Sequence, residues 1–253
     1  MSDLMLDNAP DPATEELLAE ISAMVEGHHI KEHPLVQAIR SGVATREALA
    51  GFVKQFYFVG PEPNPRPQCA MYAHAPRDPI IDKLLFEDLI MEEGAGTQSG
   101  TTDHRVPFFR HCEALGLNAR DVIEGDPLPE CRAFNNWRYF LPLSGDWLGG
   151  IAGISFIEGA SARRNDLIIE GLVAHYEFTR GSPELQYWEL HASEIEEGHG
   201  DAGPTLVRLY ARDERARDGV RRAVRTSIDL QWLAFDGMYR AYFDRDPRYE
   251  RWW

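Results

Sequence analysis

Apolar residues recur at helical spacing along nearly the whole chain, and no run alternates with a period of two. Thr14 is expected to cap a first helix carrying Leu17, Leu18, Ile21 and Val25. The stretch "HPLVQAIRSGVATREALAGFVKQFYFVG" predicts a short helix, a turn at Ser41-Gly42 and a second helix capped by Thr45. "PEPNPRP" at 61–67 is a proline-rich break that helices cannot cross. "DPIIDKLLFEDLIMEEGAG" is an amphipathic helix ending in glycines. After a loop at 96–103, His104 opens a helix that stops near Gly116. Residues 118–131 read as a turn-rich connector, and "RAFNNWRYFLPL" follows it. A long apolar helix begins near Asp146, and another is signalled by the Ser-Pro-Glu at 182–184. "AGPTLVRLYA" and "DGVRRAVRTSIDLQWLAFDGMYRAYF" complete the chain. The pattern predicts an all-α, single-domain bundle of roughly seven to nine helices over 14–253, with 1–13 as a flexible lead-in.

Composition narrows the function. The 253 residues include 43% hydrophobic ones, enough for a packed core. A net charge of −15, from 41 acidic and 26 basic residues, argues against nucleic acid and against an anionic membrane surface. Cys69, Cys112 and Cys131 are odd in number and form no CxxC pair, so a reducing cytoplasm is expected rather than a disulfide framework. The N-terminus has neither a basic region nor an apolar run, so no signal peptide is expected, and no stretch reaches the ~18 apolar residues of a membrane helix.

Three stretches put carboxylates or imidazoles beside apolar helix faces, where an uncompensated charge is costly. In "LLFEDLIMEEGAG", Leu85, Leu89 and Glu92 share a face, Glu93 is the alternative inward residue, and the glycines allow the chain to return with His104. In "GGIAGISFIEGASARR", Glu158 ends an apolar run flanked by small residues; it either serves chemistry or pairs with Arg163 or Arg164. In "YWELHASEIEEGHG", a regular helix at about 100° per residue puts His191 and His199 about 80° apart and Glu196 about 140° from His191. A π-bulge would bring all three to one side; without one, Glu194 is the better third group. Each stretch has an ordinary alternative, a solvated acidic helix end or a boundary ion pair. Together Glu92, His104, Glu158, His191, Glu196 and His199 form a mixed oxygen and nitrogen set that suits iron or manganese better than structural zinc.

These segments resemble the non-haem diiron oxidase and oxygenase branch of the haem-oxygenase-like superfamily, which also holds pyrroloquinoline-quinone synthase and TenA-like proteins. The likeness runs from about His33 to Phe243. "LLFEDLIMEEGAG…DH" is similar to the segment that supplies the first Glu and His ligands, which favours Glu92 over Glu93. "FIEG" is similar to the middle Glu, and "YWELHASEIEEGH" to the final His-x-x-x-Asp-x-x-His helix. Here the final helix has one extra residue, and Glu replaces Asp. The resemblance implies a haem-oxygenase-like helical bundle, two irons of which the second is labile, and dioxygen as cosubstrate. It implies N-oxygenation, desaturation or C–C cleavage of a small amine, amino-acid-derived or carboxylate metabolite in natural-product biosynthesis. It admits an external electron donor and a homodimer. A cofactor-independent oxidase or hydrolase of the same fold, quinone-synthase-like or thiaminase-like, would instead use His and Tyr as acid and base. A non-catalytic helical binding protein is the third reading, in which His74, His175 and the acidic surface carry no chemistry. Arg66, Arg163 and Arg164 are read as surface cations, with a substrate carboxylate as the alternative partner. Phe56, Tyr57, Tyr72, Trp188 and Trp232 are read as core.

Overall fold

The computed structural model describes residues 11–63, 66–93, 103–192 and 202–253, with only the backbone described at 88 and 91–93. Those residues contain helices and turns and no strand. In chain order the α-helices are α1 (Pro12–Gly27), α2 (Pro34–Arg40), α3 (Arg46–Phe56), α4 (Arg66–His74), α5 (Pro79–Glu93) and α6 (Arg105–Ala114). They continue with α7 (Ala119–Ile123), α8 (Pro129–Leu143), α9 (Trp147–His175), α10 (Gln186–Leu190), α11 (Ala202–Tyr210) and α12 (Glu214–Met238). A π-helical turn, Tyr239–Phe243, extends α12, and 3-10 turns lie at Ile30–Glu32 and Pro247–Trp252.

The all-α expectation holds, but twelve α-helices among the described residues exceed the seven to nine expected. The excess comes from short pieces between breakers. The connector at 118–131 contains α7, because Asn118 accepts from the Arg120 N–H at 2.8 Å and so caps it. The cap of α1 also differs from expectation. Asp11 is the N-cap, accepting from the Ala13 N–H, while the Thr14 hydroxyl lies inside the first turn and is buried against the Ala211 carbonyl. Both residues are good caps, and the earlier one wins because Pro12 is already set for a first helical position. Thr45 caps α3 as expected, and Asp146, near which α9 was expected to begin, is its N-cap. Helix α6 ends as its glycine predicts. Gly116 takes φ +80°, and the N–H groups of Gly116 and Leu117 reach back to Glu113 and Cys112.

Helix α9 is the spine of the molecule. It packs against α2, α4, α8, α11 and α12, and its small residues permit that crowding. A Cβ on Gly171 would fall on the carbonyl of Ile39 in α2, and one on Gly153 would press on Ser227 of α12. Gly203 of α11 meets Ser155 of α9 in the same way. The buried apolar residues form one cluster from Leu17 to Trp252, with Trp188, Phe52, Phe108 and Phe235 its largest fully buried side chains. Among the described residues no helix is long and apolar enough to cross a membrane.

Candidate functional site

A cavity of about 90 Å3 opens beside α9, room for several waters or one small organic molecule. His104, Glu158 and His191 all line it. They come from three places far apart in the chain, and local structure aims each one. His104 is the N-cap residue of α6, yet its ring takes no part in capping. Asp103 does that work, accepting from the Arg105 N–H at 2.9 Å. The His104 ring instead stands perpendicular to the His191 ring, centroids 4.7 Å apart. Burial pushes the Asp103 carboxyl up, but hydrogen bonds from the Arg105 side chain and backbone outweigh it and hold the group below its ordinary value.

His191 does not lie inside a helix, as the sequence reading assumed. Helix α10 ends at Leu190, and His191 is its C-cap residue, with φ −107° and ψ 20°. Asn165 of α9, itself buried, donates to the His191 carbonyl at 2.7 Å and fixes that residue against the spine. One turn back, the Tyr187 ring packs on the imidazole at 5.0 Å. Glu158 is 36% exposed on its side chain and faces the guanidinium of Arg138 at 3.6 Å. Neither Arg163 nor Arg164, the partners considered from sequence, makes this pair. Arg163 pairs with Glu26, and Arg164 bonds to Asn165.

Sequence reasoning missed Arg138 and took Arg164 for a surface cation. They are 7% and 5% exposed and both line the cavity. Arg138 of α8 donates to the Val59 carbonyl at 2.9 Å. Arg164 is no surface cation: its guanidinium lies 5.2 Å from the Phe56 ring and 5.7 Å from the Phe235 ring. The signal was available. Arg138 lies four after Phe134 and three before Leu141, and Arg164 lies seven after Ile157 and four before Ile168, so each sits on a buried stripe. Phe56 also lines the cavity, whereas Tyr57 and Trp188 belong to the core as expected. Arg66 is exposed beside Glu62.

Glu92 and Glu93 close α5, and only their backbone is described. Glu194, Glu196 and His199 lie outside the described residues, and with them the question of a π-bulge after His191. Within the described residues the π turn is at Tyr239–Phe243, where Tyr242 packs on Gly51 and bonds Gln55. Among the described residues no three His, Cys, Asp or Glu side chains are close enough together to hold a metal ion. The donors that do line the cavity fit iron in kind: two imidazoles and two carboxylates, those of Asp103 and Glu158, with no cysteine among the described lining residues. Cys112 and Cys131 are buried elsewhere, and burial pushes the Cys112 thiol up to about 12, so it stays protonated.

The sequence model of a family described as iron-containing redox enzymes, with a haem-oxygenase-like name, matches residues 50–232. A 4-aminobenzoate synthase of Chlamydia muridarum is 22% identical over 202 residues, 78% of this chain and 80% of that protein. Among solved structures, a TenA homologue from Pseudomonas syringae superposes with a TM-score of 0.74 at 16% identity, covering 95% of this chain and 98% of the other. A haem-oxygenase-like domain of unknown function from Shewanella denitrificans gives 0.68 at 15% identity, covering 91% and 92%. At these identities the structural likenesses establish the haem-oxygenase-like fold.

Proposed function

The chain belongs to the haem-oxygenase-like family of iron-containing redox enzymes, and from that premise we propose that it is a dioxygen-activating non-haem diiron oxidase or oxygenase. Its substrate is a small amine, amino-acid-derived or carboxylate metabolite. The observation that carries this reading is that His104, Glu158 and His191, from three separate segments, line one cavity. Glu92, Glu196 and His199 would complete the ligand set, with Glu93 and Glu194 as alternates. Bound there, iron would supply the electrons and open coordination positions that dioxygen activation needs.

The chain's own residues prepare that site. The Asn165 bond to the His191 carbonyl holds the C-cap residue in place, so its ring need not be ordered on loading. Arg138 orients Glu158 and offsets its charge before a cation arrives. Phe56, Phe134, Ile154, Ile157 and Phe235 supply apolar walls that keep water from the reacting groups. The Chlamydia relative is named for making a small aromatic molecule that bears both an amine and a carboxylate, which supports a small-metabolite reaction here.

Glu158→Ala tests the reading. Glu158 is a carboxylate of the proposed ligand set that lines the cavity, so the variant is expected to lose tight iron binding in an anaerobic ferrous titration while keeping its helical circular dichroism. An unchanged iron stoichiometry would remove Glu158 from the ligand set and the proposal with it.

A further inference from the structure

Residues 208–225, the end of α11 and the first half of α12, hold seven arginines against three carboxylates, in a chain of net charge −15. Helix α1 neutralises one flank of this run: Glu15 pairs with Arg208, Asp11 with Arg217 and Glu20 with Arg221. The run's own carboxylates are committed as well. Glu214 pairs with Arg217, Asp218 pairs with Arg221, and Asp213 caps α12. Arg215, Arg222 and Arg225 are left exposed, with no ion pair among the described residues. At about 100° per residue they fall within about 80° of one another, opposite the buried Val220 and Val224. Elsewhere on the surface Arg40, Arg120, Arg132, Arg163 and Arg248 each take a carboxylate. A face of three arginines without one is the exception in so acidic a chain.

Charge says what fits this face. Its complement is acidic, and a small acidic protein can touch the arginines alone, whereas a long polyanion would also meet the negative remainder of the chain. Repulsion from that remainder turns an acidic protein away from wrong orientations and steers it to this one. Position says what the partner brings. Gln231 and Phe235, further along α12, line the cavity. Arg225 lies six residues before Gln231, about 9 Å along the helix axis, and a helix is about 10–12 Å thick. A protein docked on the arginines therefore sits close to the cavity with the packed helix between them. An electron crosses such a barrier and a substrate does not. We propose that the Arg215–Arg222–Arg225 face of α12 docks a small acidic one-electron carrier of the iron–sulfur type, which supplies electrons to the cavity. Each encounter oxidises the carrier by one electron and reduces one ferric ion to ferrous; no bond forms or breaks, and two encounters serve two irons. The inference rests on the reading of the cavity as an iron site and adds the route by which its electrons arrive.

The probe is an acidic plant-type 2Fe–2S ferredoxin. Calorimetry at low salt titrates its oxidised form into the metal-free full chain. Two double variants are compared: Arg222→Glu with Arg225→Glu, and Arg110→Glu with Arg180→Glu, whose arginines are exposed on other elements. Both doubles change the net charge equally, so any difference between them is local. The wild type is expected to bind, with affinity at least about tenfold weaker in the first double and less than about threefold weaker in the second. The ferric-loaded chain is then mixed anaerobically with reduced ferredoxin, and the return of the oxidised ferredoxin's visible absorption is followed. That rate is expected to fall in the first double by a similar factor, while dithionite reduces all three samples alike. No binding by the wild type, equal losses in the two doubles, or a rate that the first double leaves unchanged would overturn the proposal. Ferrous titration of the same samples separates the two ideas. A chain that binds iron but not ferredoxin ends the docking face alone, and one that binds ferredoxin but no iron ends the diiron reading.

Discussion

Glu158 shows how a residue can be found correctly and its surroundings misjudged. Its place at the end of an apolar run marked it for chemistry, and it does face the cavity. Its ion-pair partner, however, is Arg138 of α8, twenty residues earlier. No local pattern announces a contact between two helices, so Arg138 went unremarked and Arg164 read as a surface cation, although both positions fall on buried stripes. His104 and His191 were legible as candidates, and only the family resemblance implied that they meet, because local pattern does not say where α6 starts and where α10 stops. Two predictions belong to this scale. Asn165→Ala removes the bonds to both Arg164 and the His191 carbonyl. It is expected to lower unfolding free energy by about 1–3 kcal/mol and to weaken ferrous binding, measured by urea titration and calorimetry. Glu92→Ala is expected to reduce iron binding much more than Glu93→Ala; equal losses would show that the helix phase assigned to Glu92 is wrong.

At the scale of elements, the long helices were legible and the short ones were not. Helix α9 starts at its Asp146 cap, where the sequence placed it, whereas α12 starts at Glu214 behind its Asp213 cap, four residues before the segment read from Asp218. Helix α7 was hidden, since five residues carry too little periodicity to stand out from a turn-rich connector. Helix α10 was expected to run through His191, but it stops at Leu190 after five residues. What sequence reading did catch is the run of small residues in α9, and their use is now plain: they let α2, α11 and α12 approach the spine closely. Gly171 is the sharpest case, because backbone rather than a movable side chain faces it. Gly171→Ala is expected to cost about 1–3 kcal/mol through overpacking, seen as a lower urea midpoint. An alanine variant as stable as the wild type would mean that α2 can move aside.

For the whole molecule, acid stability is set by buried histidines away from the cavity. His29, His33 and His111 are all buried, and burial pushes each from an ordinary value near 6.5 down to about 4; the Asp236 carboxylate only partly offsets this for His33. Between those values the unfolded chain takes up protons that the folded chain refuses. Their neutral forms therefore cost nothing above about pH 6.5, and stability falls as pH drops from there toward 4. Urea midpoints at about pH 7.5 and about pH 5 should differ, with the lower one at pH 5; equal midpoints would contradict the buried neutral state. The same fold that shelters these three histidines brings two others, His104 and His191, to a cavity lined also by two carboxylates and three guanidinium groups. The central claim is that this cavity holds iron for dioxygen chemistry. Anaerobic ferrous titration of the metal-free chain, followed by a pulse of oxygen, tests it most directly. The account predicts up to two ferrous ions per chain, the second more weakly held, and oxidation by oxygen with a transient visible absorption. A chain that binds no ferrous ion would contradict it and return the cavity to the cofactor-independent chemistry of the same fold.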